Sequence, residues 1–273
     1  MVKQRLEDLA AEIQVVVTSL SADFKGTGLT DAQIREKIKP QIDKLQSLMQ
    51  ERLVESGQLE PFLKTVNTHI VLPGMDSEHN PMEYIVDFDV EVTPRGILEI
   101  MPGARLHFTE HGGILCYGIL KAGNTSNYTY TVFTAADRSW KNITFAGSFA
   151  DNSYLHVCEI RGGTGRKIVP ARPMFTQYGT GNTSLGGGIL ILRSSPTIES
   201  CRIAGNSADG GGGLYAVESH ARVSRCNFCG NTQNRAQGNP PNNVNHYTLV
   251  NCSIQGEKNE VEGVSVDMYG RLK

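Results

Sequence analysis

Short stretches of alternating apolar and polar residues recur along the chain from about Gly96 onward, and glycine-rich turns separate them. The stretches are only a few residues long and rich in Ile, Val, Leu and Phe, which is typical of short β-strands. They follow one another too closely for crossover helices to fit between them. We therefore predict a mainly β domain in which consecutive short strands wind as a solenoid.

A sequence repeat supports this prediction. Residues 186–206 and 211–231 align without a gap at an offset of 25 residues. The matched residues are Gly188 with Gly213, Ser194 with Ser219, Ile198 with Val223, Cys201 with Cys226, Ile203 with Phe228, and Gly205-Asn206 with Gly230-Asn231. The signature aliphatic-x-x-Cys-x-apolar-x-Gly occurs twice more, beginning at Leu155 and at Leu249. The repeat predicts a coil of about 25 residues whose equivalent side chains stack on one another.

The repeat also predicts what lies inside the coil and at its turns. Four cysteines take the same position in it: Cys158, Cys201, Cys226 and Cys252. We expect them to form an interior stack of small, reduced hydrophobic side chains. Gly205 and Gly230 are expected to turn the backbone with positive φ, and Asn206 and Asn231 to form hydrogen bonds through the same turn.

The run from Gly186 to Asn206 resembles the coils of the right-handed parallel β-helix superfamily, in the form found in bacterial surface and polymorphic outer-membrane-type repeats. Further segments are similar to the opening coils of such pectate-lyase-like proteins: 98–108, 113–123, 132–134 and 140–145. The resemblance covers about residues 90–256 and implies a right-handed parallel β-helix, which we place at 96–256. It says little about function, because the superfamily includes lyases, hydrolases, adhesins and phage spikes.

Helical patterns precede the solenoid. Residues 3–20 carry apolar side chains at alternating spacings of three and four, at Leu6, Leu9, Ile13, Val16 and Leu20. This is the a/d seam of a coiled coil. Thr30 and Gln33 form a capping box that opens a second helix, and Gly57 is a natural stop. We predict an α-helical, coiled-coil-like segment at 1–60.

Two interpretations of the helical segment stay open. It is either a cap packed on its own chain or an oligomerisation segment through which residues 3–53 assemble a homo-oligomer, a trimer being one candidate. Residues 61–95 are predicted to be a connector with the first strands. Residues 257–273 are predicted to be a C-terminal cap or tail.

Composition excludes few functions. The 273 residues carry a formal charge of −2, which gives no reason to expect nucleic acid as the main partner. No apolar run approaches the roughly 18 residues of a membrane span. The N-terminus lacks the apolar region of a secretory signal, so we expect a cytoplasmic chain, with virion or cell-surface assembly as an alternative. No cofactor is expected.

Candidate chemistry is sparse. The predicted outward positions form one column of Glu159, Arg202, Asn227 and Ser253, and a second column of His156, Glu199 and Ser224. Glycan-cleaving enzymes on this fold use stacked carboxylates, and each column has only one. Glu159, Glu199 and Asp151 are the candidate catalytic residues if the chain is an enzyme, and a solvated face with incidental charge is the other interpretation. Cys226 and Cys229 are expected to point to opposite sides, so we predict no metal site.

One insertion interrupts the repeat between Cys158 and Cys201. The additional residues fall within 164–185 and include Arg166, Lys167, Arg172, Phe175 and Tyr178. Insertions between coils lie on one side of a solenoid, often the binding side. These five residues are therefore candidates for binding a glycan or a protein partner. A subunit contact or a plain loop would explain the insertion equally well.

The sequence as a whole favours a non-catalytic structural or binding protein. In this hypothesis a helical segment assembles several chains, and each chain displays a β-helix as part of a spike, fibre or surface-type structure. The alternative is a carbohydrate-active lyase or hydrolase built on the same β-helix.

Overall fold

A computed structural model describes Gln33, residues 60–76, 78–126, 129–167 and 184–233, and three C-terminal strands. The predicted N-terminal helices lie outside the described residues, apart from Gln33, which is helical. Cys252, Ser253, Arg172, Phe175 and Tyr178 also lie outside them. No helix among the described residues has the length and apolar character needed to cross a membrane.

Three parallel sheets make up the described part of the chain. Sheet 1 contains, in order, β1 (Thr65–Val66), β4 (Asp89–Val92), β7 (Gly113–Cys116), β10 (Ile143–Ala146), β15 (Ile189–Leu192), β19 (Leu214–Val217) and β23 (Tyr247–Val250). Sheet 2 contains β2 (His69–Leu72), β5 (Ile97–Ile100), β8 (Ile119–Ala122), β11 (Tyr154–His156), β16 (Thr197–Glu199) and β20 (Arg222–Ser224). Sheet 3 contains β3 (Glu83–Val86), β6 (Arg105–Phe108), β9 (Thr131–Ala135), β12 (Cys158–Arg161), β17 (Arg202–Ala204), β21 (Asn227–Cys229), β24 (Asn259–Val261) and β25 (Val264–Val266).

Smaller elements join or flank these sheets. A short helix, α1 (Glu60–Leu63), precedes β1, and a 3-10 helix (Ser148–Asn152) connects β10 to β11. Strands β13 (Arg166–Lys167) and β14 (Ser184–Leu185) form an antiparallel pair at the base of the insertion. Strands β18 (Ser207–Ala208) and β22 (Thr232–Gln233) form a parallel pair.

The order of the strands confirms a parallel β-solenoid. The chain visits sheets 1, 2 and 3 in turn, and each strand pairs in parallel with the strand of the next coil. Ile198 of β16, for example, pairs with Val223 of β20, as the 25-residue repeat predicted. We number the coils from β1, so that coils 4, 5 and 6 contain β10–β12, β15–β17 and β19–β21.

The solenoid begins earlier in the chain than the repeat suggested. Thr65 and Val66 already pair with β4, and β2 and β3 follow in sheets 2 and 3. A complete coil therefore precedes Gly96. The sequence did not reveal it because strands β1 to β3 lack the Cys and Gly positions of the later repeats.

The register of the last coil also differs from the prediction. The sequence signature matched Leu249 to Val223 of sheet 2, but Leu249 pairs with Ala216 of sheet 1. Within the described residues, the chain returns to sheet 3 in β24, where Glu260 and Val261 pair with Asn227 and Phe228. A short aliphatic strand fits either sheet. The long polar segment before Tyr247 interrupts the 25-residue repeat, so the spacing along the sequence does not show which sheet this strand joins. Strand β25 then turns back antiparallel to β24.

The predicted cysteine stack is present for its described members. Cys158, Cys201 and Cys226 are buried and form no disulfide. Each thiol points to a carbonyl oxygen of the preceding coil, as in the 3.3 Å contact from Cys201 Sγ to Leu155 O. Burial raises the pKa of the Cys201 thiol well above its ordinary value, so the thiol stays protonated.

A buried asparagine pair joins coils 5 and 6 at the turn that follows sheet 3. Asn206 Nδ2 donates to Asn231 Oδ1 over 3.0 Å, and the same oxygen accepts the backbone N–H of Asn206. The preceding glycines, Gly205 and Gly230, have φ values of 63° and 59°. The predicted turn chemistry is therefore confirmed.

Single left-handed residues form the corner between sheets 2 and 3. Val157, Ser200 and Arg225 occupy this corner in coils 4, 5 and 6, with φ values of 52°, 55° and 53°. None of them is glycine, so the turn could not be predicted from the residue types at this corner. We call this feature the 2–3 corner. It places the last residue of each sheet 2 strand beside the first outward residue of sheet 3.

Sheet 1 is buried on both faces in coils 3, 4 and 5. The outward side chains of these strands are 0–3% exposed, including Leu115, Leu190 and Leu192. The run Ile189–Leu192 is correspondingly apolar throughout, as expected for a strand covered on both sides. The in-out alternation that we predicted therefore holds for β1 and β4 but not for β7, β10 and β15. It holds for most strands of sheets 2 and 3, although β9 is buried on both faces and Ser224 of β20, predicted to face outward, is buried.

Candidate functional site at the 2–3 corner

The two predicted side-chain columns lie on either side of the 2–3 corner. His156, Glu199 and Ser224 are paired in register in sheet 2. In sheet 3 Glu159 pairs with Arg202, and Arg202 pairs with Asn227. The next position of that column is Glu260 and not the predicted Ser253, because the last coil has the different register described above. The corner thus brings Glu159 and Glu199 to the same edge of the solenoid.

Each of the two glutamates is paired with an arginine of the following coil. Arg202 Nη1 donates to Glu159 Oε1 over 3.0 Å, and Arg225 forms an ion pair with Glu199. The Glu159 and Glu199 side chains are 17% and 15% exposed, whereas the arginines are half exposed. Both carboxylates therefore link one coil to the next.

His156 lies between an aromatic ring and a carboxylate. Its imidazole stacks on the ring of Tyr154, with centroids 4.5 Å apart and an interplanar angle of 18°. Its Nε2 is 3.6 Å from Glu199 Oε2, which is too far for a hydrogen bond, and it is buried without a hydrogen-bond partner among the described residues. Burial, and then the positive charge of Arg225, lower the pKa of His156 below its ordinary value of 6.5.

Asp151 lies away from the 2–3 corner. It belongs to the 3-10 helix between sheets 1 and 2, and its Oδ1 accepts the backbone N–H of Ser195 over 2.7 Å. Its role in the fold is to hold the equivalent turn of the next coil. The structure therefore does not assemble Asp151, Glu159 and Glu199 into one site.

Arg166, a predicted binding residue, is part of an internal ion-pair cluster. Its two terminal nitrogens donate to the two oxygens of Asp89 over 2.9 and 2.8 Å, and Lys141 Nζ donates to Asp89 over 2.8 Å. Burial by itself would raise the pKa of Asp89, but the hydrogen bonds and charges of Arg166 and Lys141 hold it below its ordinary value. Arg166 thus fastens the base of the insertion to coil 2.

Lys167 is the other described member of the predicted binding set. It is exposed at the end of β13 and pairs with Ser184 in β14. The remaining candidates, Arg172, Phe175 and Tyr178, lie outside the described residues. Of the five predicted binding residues, the structure describes only Arg166 and Lys167. Lys167 is exposed, whereas Arg166 already binds Asp89.

The Cys226-x-x-Cys229 motif does not bring its two thiols together. Cys226 is buried in the interior stack, whereas Cys229 is half-buried on the outward side of β21. Across the described ranges, no three His, Cys, Asp or Glu side chains come together as metal ligands.

Comparison of the chain with protein-family models, with curated proteins and with solved structures gave no match. The parallel β-solenoid is thus established by strand pairing, and the resemblance to the right-handed β-helix superfamily stays a prediction.

Proposed function

We propose that this chain is a non-catalytic structural or binding protein, in which the solenoid is displayed by an oligomer as part of a spike, fibre or surface-type assembly. The proposal rests on the contacts that the candidate catalytic side chains make in the fold. Glu159 and Glu199 are each bound by an arginine of the next coil, and Asp151 holds a turn. The charged groups of the outer surface stiffen the solenoid along its axis.

Other ion pairs repeat this arrangement. Arg105 and Glu83 link coils 1 and 2 over 3.5 Å, and Arg193 and Glu218 link coils 5 and 6 over 2.6 Å. A single exposed pair contributes about 0–1 kcal/mol, but pairs repeated along one axis add to the rigidity of a stacked array. A stiff element of this kind suits a display or building role.

Oligomerisation through the predicted heptad seam can be tested in the full chain. Leu9→Glu combined with Ile13→Glu places two charges in the seam of residues 3–20, whereas Gln4→Glu combined with Gln14→Glu adds the same charge outside it. Light scattering should give an oligomeric mass for the parent chain and for the control, and a monomeric mass for the seam variant. A monomeric parent chain would disprove the assembly role.

A carbohydrate-active enzyme is the second candidate function. The Tyr154 ring, stacked on His156 beside Glu199, favours it, because sugar rings pack on aromatic faces next to polar groups. Release of reducing ends or unsaturated products from a polysaccharide panel should be measured for the parent chain and for Glu159→Gln and Glu199→Gln. Activity that either variant abolishes would establish this candidate in place of the first.

The finer fold assignment forms part of the same proposal. Connections between parallel strands are right-handed in almost all proteins, so we infer a right-handed winding and membership of the β-helix superfamily. The parallel pairing of successive coils in the three sheets supports the assignment to a β-helix.

A further inference from the structure

We infer that His156, Glu199 and Arg225 form an acid-released clamp at the 2–3 corner, in which Arg225 holds Glu199 and so joins coils 5 and 6 while His156 of coil 4 stays neutral beside them. The three residues come from three successive coils, and Glu199 is the middle one. It accepts the Arg225 ion pair on one side and faces His156 Nε2 at 3.6 Å on the other. One carboxylate therefore stands between two basic groups.

The clamp is closed when His156 is neutral. The imidazole then needs no counterion, and its ring packs against Tyr154 while Glu199 is free to pair with Arg225. Both members of the central contact are largely enclosed, since the His156 and Glu199 side chains are 20% and 15% exposed. A positive charge on the imidazole would consequently be poorly hydrated.

Protonation of His156 changes the balance of charge. Two cations then compete for the single Glu199 carboxylate, so the Arg225 pair weakens and the link between coils 5 and 6 is lost first. The neighbouring Glu159 and Arg202 are already paired with each other, so neither replaces a partner lost from Glu199. The charged and titratable groups around His156 are Tyr154 on its own strand, Lys121 on β8, Glu199 on β16, Arg225 at the corner, and the Glu159–Arg202 pair on sheet 3.

Thermal unfolding of the full chain at neutral and mildly acidic pH tests the clamp. His156→Gln removes the titrating group but keeps a polar side chain. His111→Gln is the matched control, because His111 also lies beside a glutamate, Glu110 at 3.6 Å, but both side chains are exposed. We expect the Tm of the parent chain to fall by about 2–4 °C more than that of His156→Gln between roughly pH 7.5 and pH 5. The His111→Gln control should keep the parent's pH dependence.

Nuclear magnetic resonance provides a readout that does not depend on the stability of a variant. The ring protons of His156 in the parent chain should titrate below the ordinary histidine pKa of 6.5, and the midpoint should rise in Arg225→Gln. A His156 midpoint at or above 6.5 would overturn the clamp. An unchanged pH dependence of Tm in folded His156→Gln would overturn it as well.

Discussion

Asn206 and Asn231, one coil apart, are joined side chain to side chain by a 3.0 Å hydrogen bond inside the solenoid. Asn206 also accepts the backbone N–H of Gly163 over 2.9 Å and donates to Ile160 O over 3.0 Å. One side chain thus satisfies backbone groups of coil 4 and is itself held by coil 6. These side-chain hydrogen bonds hold the turn after sheet 3 in coils 4 to 6. The candidate site lies at the other end of β17, at the 2–3 corner, and depends on the same strand register.

Replacement of the Asn206 side chain should lower the free energy of unfolding. Asn206→Ala leaves the Gly163 N–H and the Ile160 carbonyl without their partner, and each buried unpaired group costs roughly 1–3 kcal/mol. We expect the free energy of unfolding to fall by about 2–4 kcal/mol in urea titrations. Asn227→Ala is the control, since the Asn227 Oδ1 has no hydrogen-bond partner within the described ranges. Equal losses in the two variants would show that the asparagine pair has no special role.

The cysteine stack predicts a pattern of chemical labelling. Cys158, Cys201 and Cys226 are at most 1% exposed, and burial raises the pKa of the Cys201 and Cys226 thiols well above the ordinary value. In the folded chain these thiols should resist a maleimide reagent, whereas half-buried Cys229 should react much sooner. Peptide mapping after timed labelling would measure this difference, and denaturant should remove it. Early labelling of Cys201 would contradict an interior position.

Because Ser200 at the 2–3 corner has a left-handed backbone, we expect a glycine there to increase the stability of the fold. Ser200 has a φ of 55°, which costs an ordinary residue roughly 1–2 kcal/mol, so Ser200→Gly should stabilise the fold by about 0.5 kcal/mol after the entropy of glycine is subtracted. Thr197→Gly, three residues earlier in strand β16, should instead destabilise it by about 1 kcal/mol. Denaturant midpoints would show the two opposite signs. A loss at both positions would disprove the strained corner.

The cluster around Asp89 predicts a second, more acidic dependence of stability on pH. The pKa of Asp89 is lower in the folded chain than its ordinary value of 3.8, so its contribution is complete above about pH 4 and is lost as the pH falls through the folded pKa. Because the carboxylate is 34% exposed, solvent screens the pair and we expect about 1 kcal/mol for Asp89→Asn at neutral pH. The variant should also lose part of the acid dependence. Glu110→Gln, at an exposed glutamate, should change neither quantity.

Part of the candidate site could be predicted from the sequence, and part of it could not. The alternation in β16 and β20 placed Glu199 and Ser224 in one outward column, which the register confirms. The partners of the carboxylates were not predictable, because Arg225 reaches Glu199 only through a left-handed corner that has no glycine to reveal it. In the same way, Arg166 was assigned to ligand binding, although it pairs with Asp89, 77 residues earlier in the chain.

The sequence by itself determined the solenoid, the 25-residue spacing of coils 5 and 6, the interior position of Cys201 and the turn position of Asn206. A repeating fold needs the same side chain at the same height in equivalent coils. Only the tertiary structure decided where the winding starts, in which sheet Leu249 lies, and that sheet 1 is buried on both faces in coils 3 to 5. Strand register and the cover of a sheet depend on residues far apart in the chain. No local pattern records these contacts, since a short apolar strand satisfies several registers equally well.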